Sequence, residues 1–179
     1  MKLHTTTLKM ILAALFLALS YLLPFLTGQI PQIGSMLCPM HLPVLLCGFL
    51  CGWQWGLAVG LAAPLLRSLT LGMPVFFPMA LCMALELATY GAVAGLLHAA
   101  LPHKRGFLYL SLLGAMLAGR LVFGGAMLAL LGICGGSYTL SAFLAAALTN
   151  AIPGILLQIL LIPPLVMLPE SLKLFRQVR

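Results

Sequence analysis

The stretch Gly106–Cys134 reads GFLYLSLLGAMLAGRLVFGGAMLALLGIC, 29 residues with one charge, Arg120. About 20 predominantly apolar residues suffice to cross a bilayer as a helix, so this segment predicts a transmembrane span. The rest of the chain has the same character. Of its 179 residues 63% are hydrophobic and only 6% charged, with a mean hydropathy of +1.19. In soluble domains roughly a quarter of residues are charged, so the solvent of this chain is lipid. The length leaves room for six spans and no sizeable soluble domain, which predicts one domain over residues 1–179.

Working outward from Gly106–Cys134, the fourth span is expected over about Val75–Leu101, closed by Pro102-His103-Lys104-Arg105, and the third over Gly56–Leu71, turned by Gly72-Met73-Pro74. Trp53-Gln54-Trp55 is expected to turn the chain at an interface, where indole rings prefer to lie. The second span is expected over Met36–Gly52, with Pro39 and Pro43, and the first over Ile11–Leu26 behind a basic start carrying Lys2 and Lys9. That start is like a signal peptide, but no small-x-small cleavage site follows, so a retained helix is expected. A sixth span is expected over Leu140–Leu168, before a basic tail with Lys173, Arg176 and Arg179.

Six spans put both termini on one side, and Lys2, Lys9, Lys104, Arg105, Lys173, Arg176 and Arg179 fall on that side too. The loops near Gln29, Gly72 and Ser137 carry no lysine or arginine. By the positive-inside rule both termini are cytoplasmic. The sequence thus predicts an all-α integral membrane protein with six transmembrane helices. The net charge of +7 reports topology and not nucleic acid.

Three charged residues lie inside the spans: Arg67, Glu86 and Arg120. Each costs at least about 2.5–3.5 kcal/mol at a helix centre, and such residues face a bundle interior or a cavity. At 1.5 Å per residue Arg67 lies roughly 6 Å below the outer end of span three, and Glu86 roughly 17 Å into span four. Arg120 and Asn150 fall near the middle of spans five and six. An internal salt bridge from Glu86 to Arg120 or Arg67 is the plain structural reading. One carboxylate cannot neutralise two guanidinium groups, however, and an unpaired buried charge is costly. A small carboxylate ligand entering from outside would resolve the imbalance, because a guanidinium fork matches carboxylate geometry.

Tyr90 follows Glu86 by one turn and shares its face, as a ligand contact or a core tyrosine. Asn150, before Pro153, is expected where the helix ladder is locally broken, and otherwise joins helices. His41, between Pro39 and Pro43, lines a mouth or caps backbone. Gln158 is expected to bond to a neighbouring helix, and His4, His98 and His103 to be solvated. Cys47 and Cys51 share a face but lack nearby histidines, so no metal is expected. No Gly-x-x-x-x-Gly-Lys-Ser/Thr loop is present, so the chain cannot hydrolyse ATP by that route. An intramembrane Ser–His protease fails for want of a histidine after His103, and the chain is read as no enzyme.

Small residues recur four apart: Ala14 and Ala18 on span one, then Gly48, Gly52, Gly56 and Gly60 around the second turn. Such spacing lets helices approach closely, and the glycines are expected to permit a tight hairpin between spans two and three. With Leu37-Cys-Pro-Met-His-Leu-Pro-Val-Leu-Leu-Cys-Gly48, Glu86-Leu-Ala-Thr-Tyr90-Gly91 and Asn150, these features make the whole chain resemble a substrate-binding S-component of an energy-coupling factor (ECF) vitamin transporter. The resemblance implies a prokaryotic plasma-membrane protein that binds a vitamin near the outer side. It implies docking through Ala14 and Ala18 on a transmembrane coupling subunit with two ATPase subunits, which use the ATP, so this chain itself needs no cofactor. Outer loops near Gln29–Ser35 and Leu71–Pro74 would gate the pocket. The two arginines favour an anionic vitamin, with pantothenate the first choice, bound by Arg67, Glu86, Tyr90, Arg120, Asn150 and His41. A stand-alone secondary transporter or small channel is the alternative.

Overall fold

The computed structural model describes residues 2–27, 38–102, 105–133 and 152–171. Among them are six α-helices: α1 (Lys2–Leu22), α2 (His41–Cys51), α3 (Trp53–Leu71), α4 (Leu81–Ala100), α5 (Arg105–Ile133) and α6 (Ile152–Ser171). A 3-10 turn, Leu23–Thr27, prolongs α1, and a wide turn, Phe76–Ala80, leads into α4. Among the described residues three segments are long and apolar enough to cross a membrane, Thr5–Leu26, Phe76–Ala100 and Gly106–Gly132, while His41–Cys51 and Ile152–Leu168 are shorter apolar helices. Large apolar side chains cover the outside of the bundle, Leu26, Leu69 and Leu160 being more than 70% exposed. Apolar residues inside and outside alike are what a lipid solvent permits.

Helix limits differ from the expected ones where glycine and proline act. The second turn is made by Gly52 alone, at φ 99° and ψ 167°, and Trp53-Gln54-Trp55 already forms the first turn of α3. The Gly52 N–H still bonds to Gly48 O at 3.2 Å, while its own carbonyl accepts from Gly56 N at 3.0 Å, so one residue both closes α2 and opens α3. That backbone region is open essentially to glycine alone. No atom of the described residues lies within 4 Å of a Cβ placed on Gly52, so the demand there is conformational and not steric. Gly52→Ala is expected to lower unfolding stability by about 1–3 kcal/mol, read from thermal denaturation of the purified variant.

The second helix is shorter than its expected span. It begins at His41 and has 11 residues, hence about 16 Å of rise, roughly half a hydrocarbon core. Cys38 stands at φ 47° and Pro39 follows it, which keeps the chain out of the helix until His41. Pro43 lies in the first turn, where its missing N–H is harmless. Similarly, Phe77 (φ −115°, ψ 132°) interrupts the entry to the fourth span, so the regular helix starts at Leu81. Pro153 falls in the first described turn of α6.

The central helix is α4, packed on α2, α3 and α5; α1 covers α2 and α3, and α6 contacts α2 and α5. Glycines set the closest approach. A Cβ on Gly56 would sit 2.7 Å from Gly48 Cα and 2.7 Å from Gly91 O. A Cβ on Gly95 would lie 2.6 Å from Trp53 Cα and 2.8 Å from Gly48 O, and one on Gly60 would strike the backbone of Leu87. The spacing expected to tighten the hairpin of spans two and three therefore serves a junction of α2, α3 and α4, completed by Gly91 and Gly95. His98, expected in solvent, is buried with its ring edge-on to Phe49, centroids 5.3 Å apart. On α1, Ala13, Phe16 and Ser20 face the bundle and Ala14 and Ala18 face outward.

Candidate functional site

The short α2 starts inside the bundle, beside the acidic residue of α4 and the arginine of α5. Arg120 Nη1 stands 3.0 Å from Glu86 Oε1, and His41 Nε2 is 3.6 Å from the same oxygen. One turn on from Glu86, Tyr90 is buried and meets the His41 ring edge-on, centroids 5.1 Å apart. Arg120 Nη2 donates to Cys38 Sγ at 3.6 Å. Three helices and the irregular Cys38–Met40 segment thus converge on one polar cluster. Non-helical backbone at membrane depth is tolerated where it is buried in protein or lines a cavity, and the first N–H groups of α2 add partial positive charge there. Met40, at the N-cap, makes no side-chain capping bond to them.

Polar atoms in this cluster are left with open valences. Glu86 Oε1, Arg120 Nε and both ring nitrogens of His41 are buried without a hydrogen-bond partner among the described residues. The ion pair is close but out of line, so Oε1 accepts no hydrogen bond from the guanidinium despite the 3.0 Å separation. Arg120 uses Nη1 on Glu86, which leaves the edge formed by Nε and Nη2. That edge presents two parallel donors, one unpartnered and one on a sulfur, a weak acceptor. A carboxylate fits such an edge bidentately.

Arg67 is held elsewhere. Its Nη1 donates to Tyr21 O at 2.8 Å, and its guanidinium lies over the Phe25 ring, 5.1 Å from the centroid. Nearby, the Tyr21 and Thr70 hydroxyls are 3.0 Å apart. Tyr21 is in the last turn of α1, whose carbonyls lack helical partners and carry the negative end of the helix dipole. Arg67 therefore caps α1 and ties it to α3. The charge surplus counted from two arginines and one glutamate is divided accordingly: Arg120 pairs with Glu86, and Arg67 meets a helix terminus and a ring face. Arg67→Gln is expected to lower stability by about 1.5–3 kcal/mol, the range for hydrogen bonds to charged groups. Ligand affinity should change less than about twofold; a larger loss in a binding titration would return Arg67 to the site.

Of the residues singled out in the sequence, the structure thus gathers His41, Glu86, Tyr90 and Arg120, and sets Arg67 apart. Asn150 lies outside the described residues, as do the loop 28–37 and Ser137. Gln158 is buried on α6, and its Oε1 finds no hydrogen-bond partner among the described residues. Cys38 joins this cluster through Arg120 without having been singled out in the sequence. Its place before Pro39, in the proline-bounded segment ahead of His41, was the available signal. No cluster of three or more His, Cys, Asp or Glu suited to a metal ion occurs among the described residues.

Among known families, the model described as "ECF transporter, substrate-specific component" matches residues 8–166. The chain matches no curated protein and no solved structure.

Proposed function

The chain belongs to the substrate-specific components of ECF transporters, and we propose that it captures a small carboxylate vitamin, pantothenate in the first instance, at the cluster of His41, Glu86, Tyr90 and Arg120. As a member of that family it is a multi-pass membrane protein that binds a small molecule and works with the partners of the ECF module. The family is one of transport subunits and not of enzymes.

The observation that carries the carboxylate reading is the open edge of Arg120, with Nε unpartnered among the described residues and Nη2 on the Cys38 sulfur. Pantothenate combines one carboxylate with an amide and hydroxyls, which suits a site with both donors and acceptors unmet. In this reading Asn150 is a further contact and the outer loops near Gln29–Ser35 and Leu71–Pro74 close over the ligand. Both termini lie in the cytoplasm of a prokaryotic cell, as the loop charges favour. The purified chain should unfold at higher temperature with one carboxylate vitamin. At about 1,000 times Kd the gain is about 4 kcal/mol. Stabilisation by panthenol, in which an alcohol replaces the carboxylate, equal to that by pantothenate would defeat the assignment.

For coupling, the outward face of α1 offers Ala14 and Ala18, small enough to admit a partner helix. We place there the transmembrane coupling subunit, with two ATPase subunits consuming ATP beneath it. Ala14→Trp with Ala18→Trp is expected to leave ligand affinity unaltered and to abolish ATP-driven uptake in vesicles carrying the complete transporter. Uptake at the wild-type rate would remove this face from the docking surface.

A further inference from the structure

We infer that the ligand carries a hydrogen-bond donor within a few bonds of its carboxylate, and that Glu86 is the specificity-determining residue that reads it. This inference rests on the assignment of the carboxylate to Arg120. Glu86 is 1% exposed, and its Oε1 accepts no hydrogen bond among the described residues. Its neighbour His41 is 3% exposed, with neither ring nitrogen hydrogen-bonded among the described residues. A neutral imidazole offers one donor and one acceptor, and a carboxylate offers acceptors only. Together with Arg120 Nε, the unmet valences are thus of both kinds.

Charge makes the requirement sharper. Glu86 and Arg120 balance each other, so a second carboxylate on the same guanidinium brings an extra negative charge into a buried cluster. A ligand with acceptors alone would place its carboxylate beside Glu86 Oε1 and leave that oxygen with the Arg120 charge but no hydrogen bond, which is costly for a buried charged group. A hydroxyl, amide N–H or ammonium near the ligand carboxylate satisfies Oε1 instead. The two anchoring points are the two ends of one guanidinium, Nη1 against Glu86 and Nε with Nη2 toward the ligand. The donor and the carboxylate must therefore be close neighbours in the ligand, with His41 available to the adjoining polar group.

The test is a set of binding titrations on the full chain in lipid nanodiscs. The probes are pantothenate, whose amide N–H lies near its carboxylate; panthenol, which keeps the donors and loses the carboxylate; and nicotinate and hexanoate, carboxylates with no donor. Wild-type protein should bind pantothenate at least about a hundredfold more tightly than nicotinate or hexanoate, in keeping with sites that reject analogues lacking a required donor. Glu86→Gln should narrow that ratio at least about tenfold, because the like charge facing the second carboxylate is gone. Equal binding of donor-bearing and donor-free carboxylates by the wild type overturns the inference and leaves the carboxylate reading standing. An unaltered ratio in Glu86→Gln does the same. Binding of panthenol as tight as pantothenate, or no binding of any carboxylate, overturns both. Because the wild-type comparison needs no variant, a Glu86→Gln protein that fails to fold does not shelter the claim.

Discussion

An Arg120→Gln variant should show no ligand-induced rise in unfolding temperature and a loss of carboxylate affinity of more than about a hundredfold. The variant removes the one donor edge in the cluster able to hold a carboxylate at two points, and hydrogen bonds to charged groups are the strong ones. It also strips the counter-charge 3.0 Å from a glutamate that is 1% exposed. Breaking a buried pair from one side costs about 3–5 kcal/mol, so the unliganded protein should melt lower as well. Two companions separate these effects. Arg120→Gln combined with Glu86→Gln should regain much of the stability without regaining affinity, because it leaves no lone buried charge. Arg120→Lys keeps the charge and loses the planar fork, and should bind weakly. Thermal unfolding with and without pantothenate reads all three. Affinity within twofold of wild type in Arg120→Gln would end the carboxylate assignment.

The second large effect concerns the glycine junction. Gly91→Val is expected to abolish stable folding, and Gly91→Ala to destabilise by at least about 3 kcal/mol, the upper part of the range for overpacking. The Cβ of either variant would sit against the backbone carbonyl of Gly56, and 2.8 Å from Gly56 Cα. Backbone cannot turn to another rotamer, so relief requires α3 and α4 to separate along their contact. Separation would in turn move Glu86, one turn before Tyr90 on α4, away from His41. Gly125→Ala and Gly132→Ala are the controls. Neither Cβ meets an atom of the described residues within 4 Å, and helix propensity alone should make them as stable as wild type or about 1 kcal/mol more stable. Thermal denaturation of the purified variants decides; a Gly91→Ala protein as stable as Gly125→Ala would mean that the helices part more easily than their contact implies.

Much of the architecture was legible because it depends on quantities that are local in the chain. Runs such as Gly106–Cys134 fix a helical span through apolar length alone, since lipid leaves every backbone group to be satisfied within the segment. Gly72 and the small-residue spacings were visible for the same reason, as was the concentration of chemistry in a few polar residues inside apolar helices. The family followed from the combination of these features and not from any single motif.

The partners of those polar residues were not legible. Whether Glu86 takes Arg67 or Arg120 depends on how α3, α4 and α5 rotate about their axes, and hydropathy does not record that rotation. The structure settles it by giving Arg67 to the carbonyl of Tyr21 and the ring of Phe25, and Arg120 to Glu86. Likewise the spacing Gly48, Gly52, Gly56, Gly60 showed that the backbones of α2 and α3 come close, as Gly56 and Gly48 do, but not that a third helix joins them. That helix proved to be α4, through Gly91 and Gly95, with Gly52 used for its conformation alone. The late start of α2 at His41 is of the same kind. Two prolines make the break possible, but only the placement of Cys38 against Arg120 and of His41 beside Glu86 makes it a place for polar chemistry. The sequence alone thus determined solvent, helix content and the roster of costly residues, each a property of a segment and its surroundings averaged over lipid. The tertiary structure decided pairing, closest approach and the edge of Arg120 left open, because these depend on distances between segments far apart in the chain.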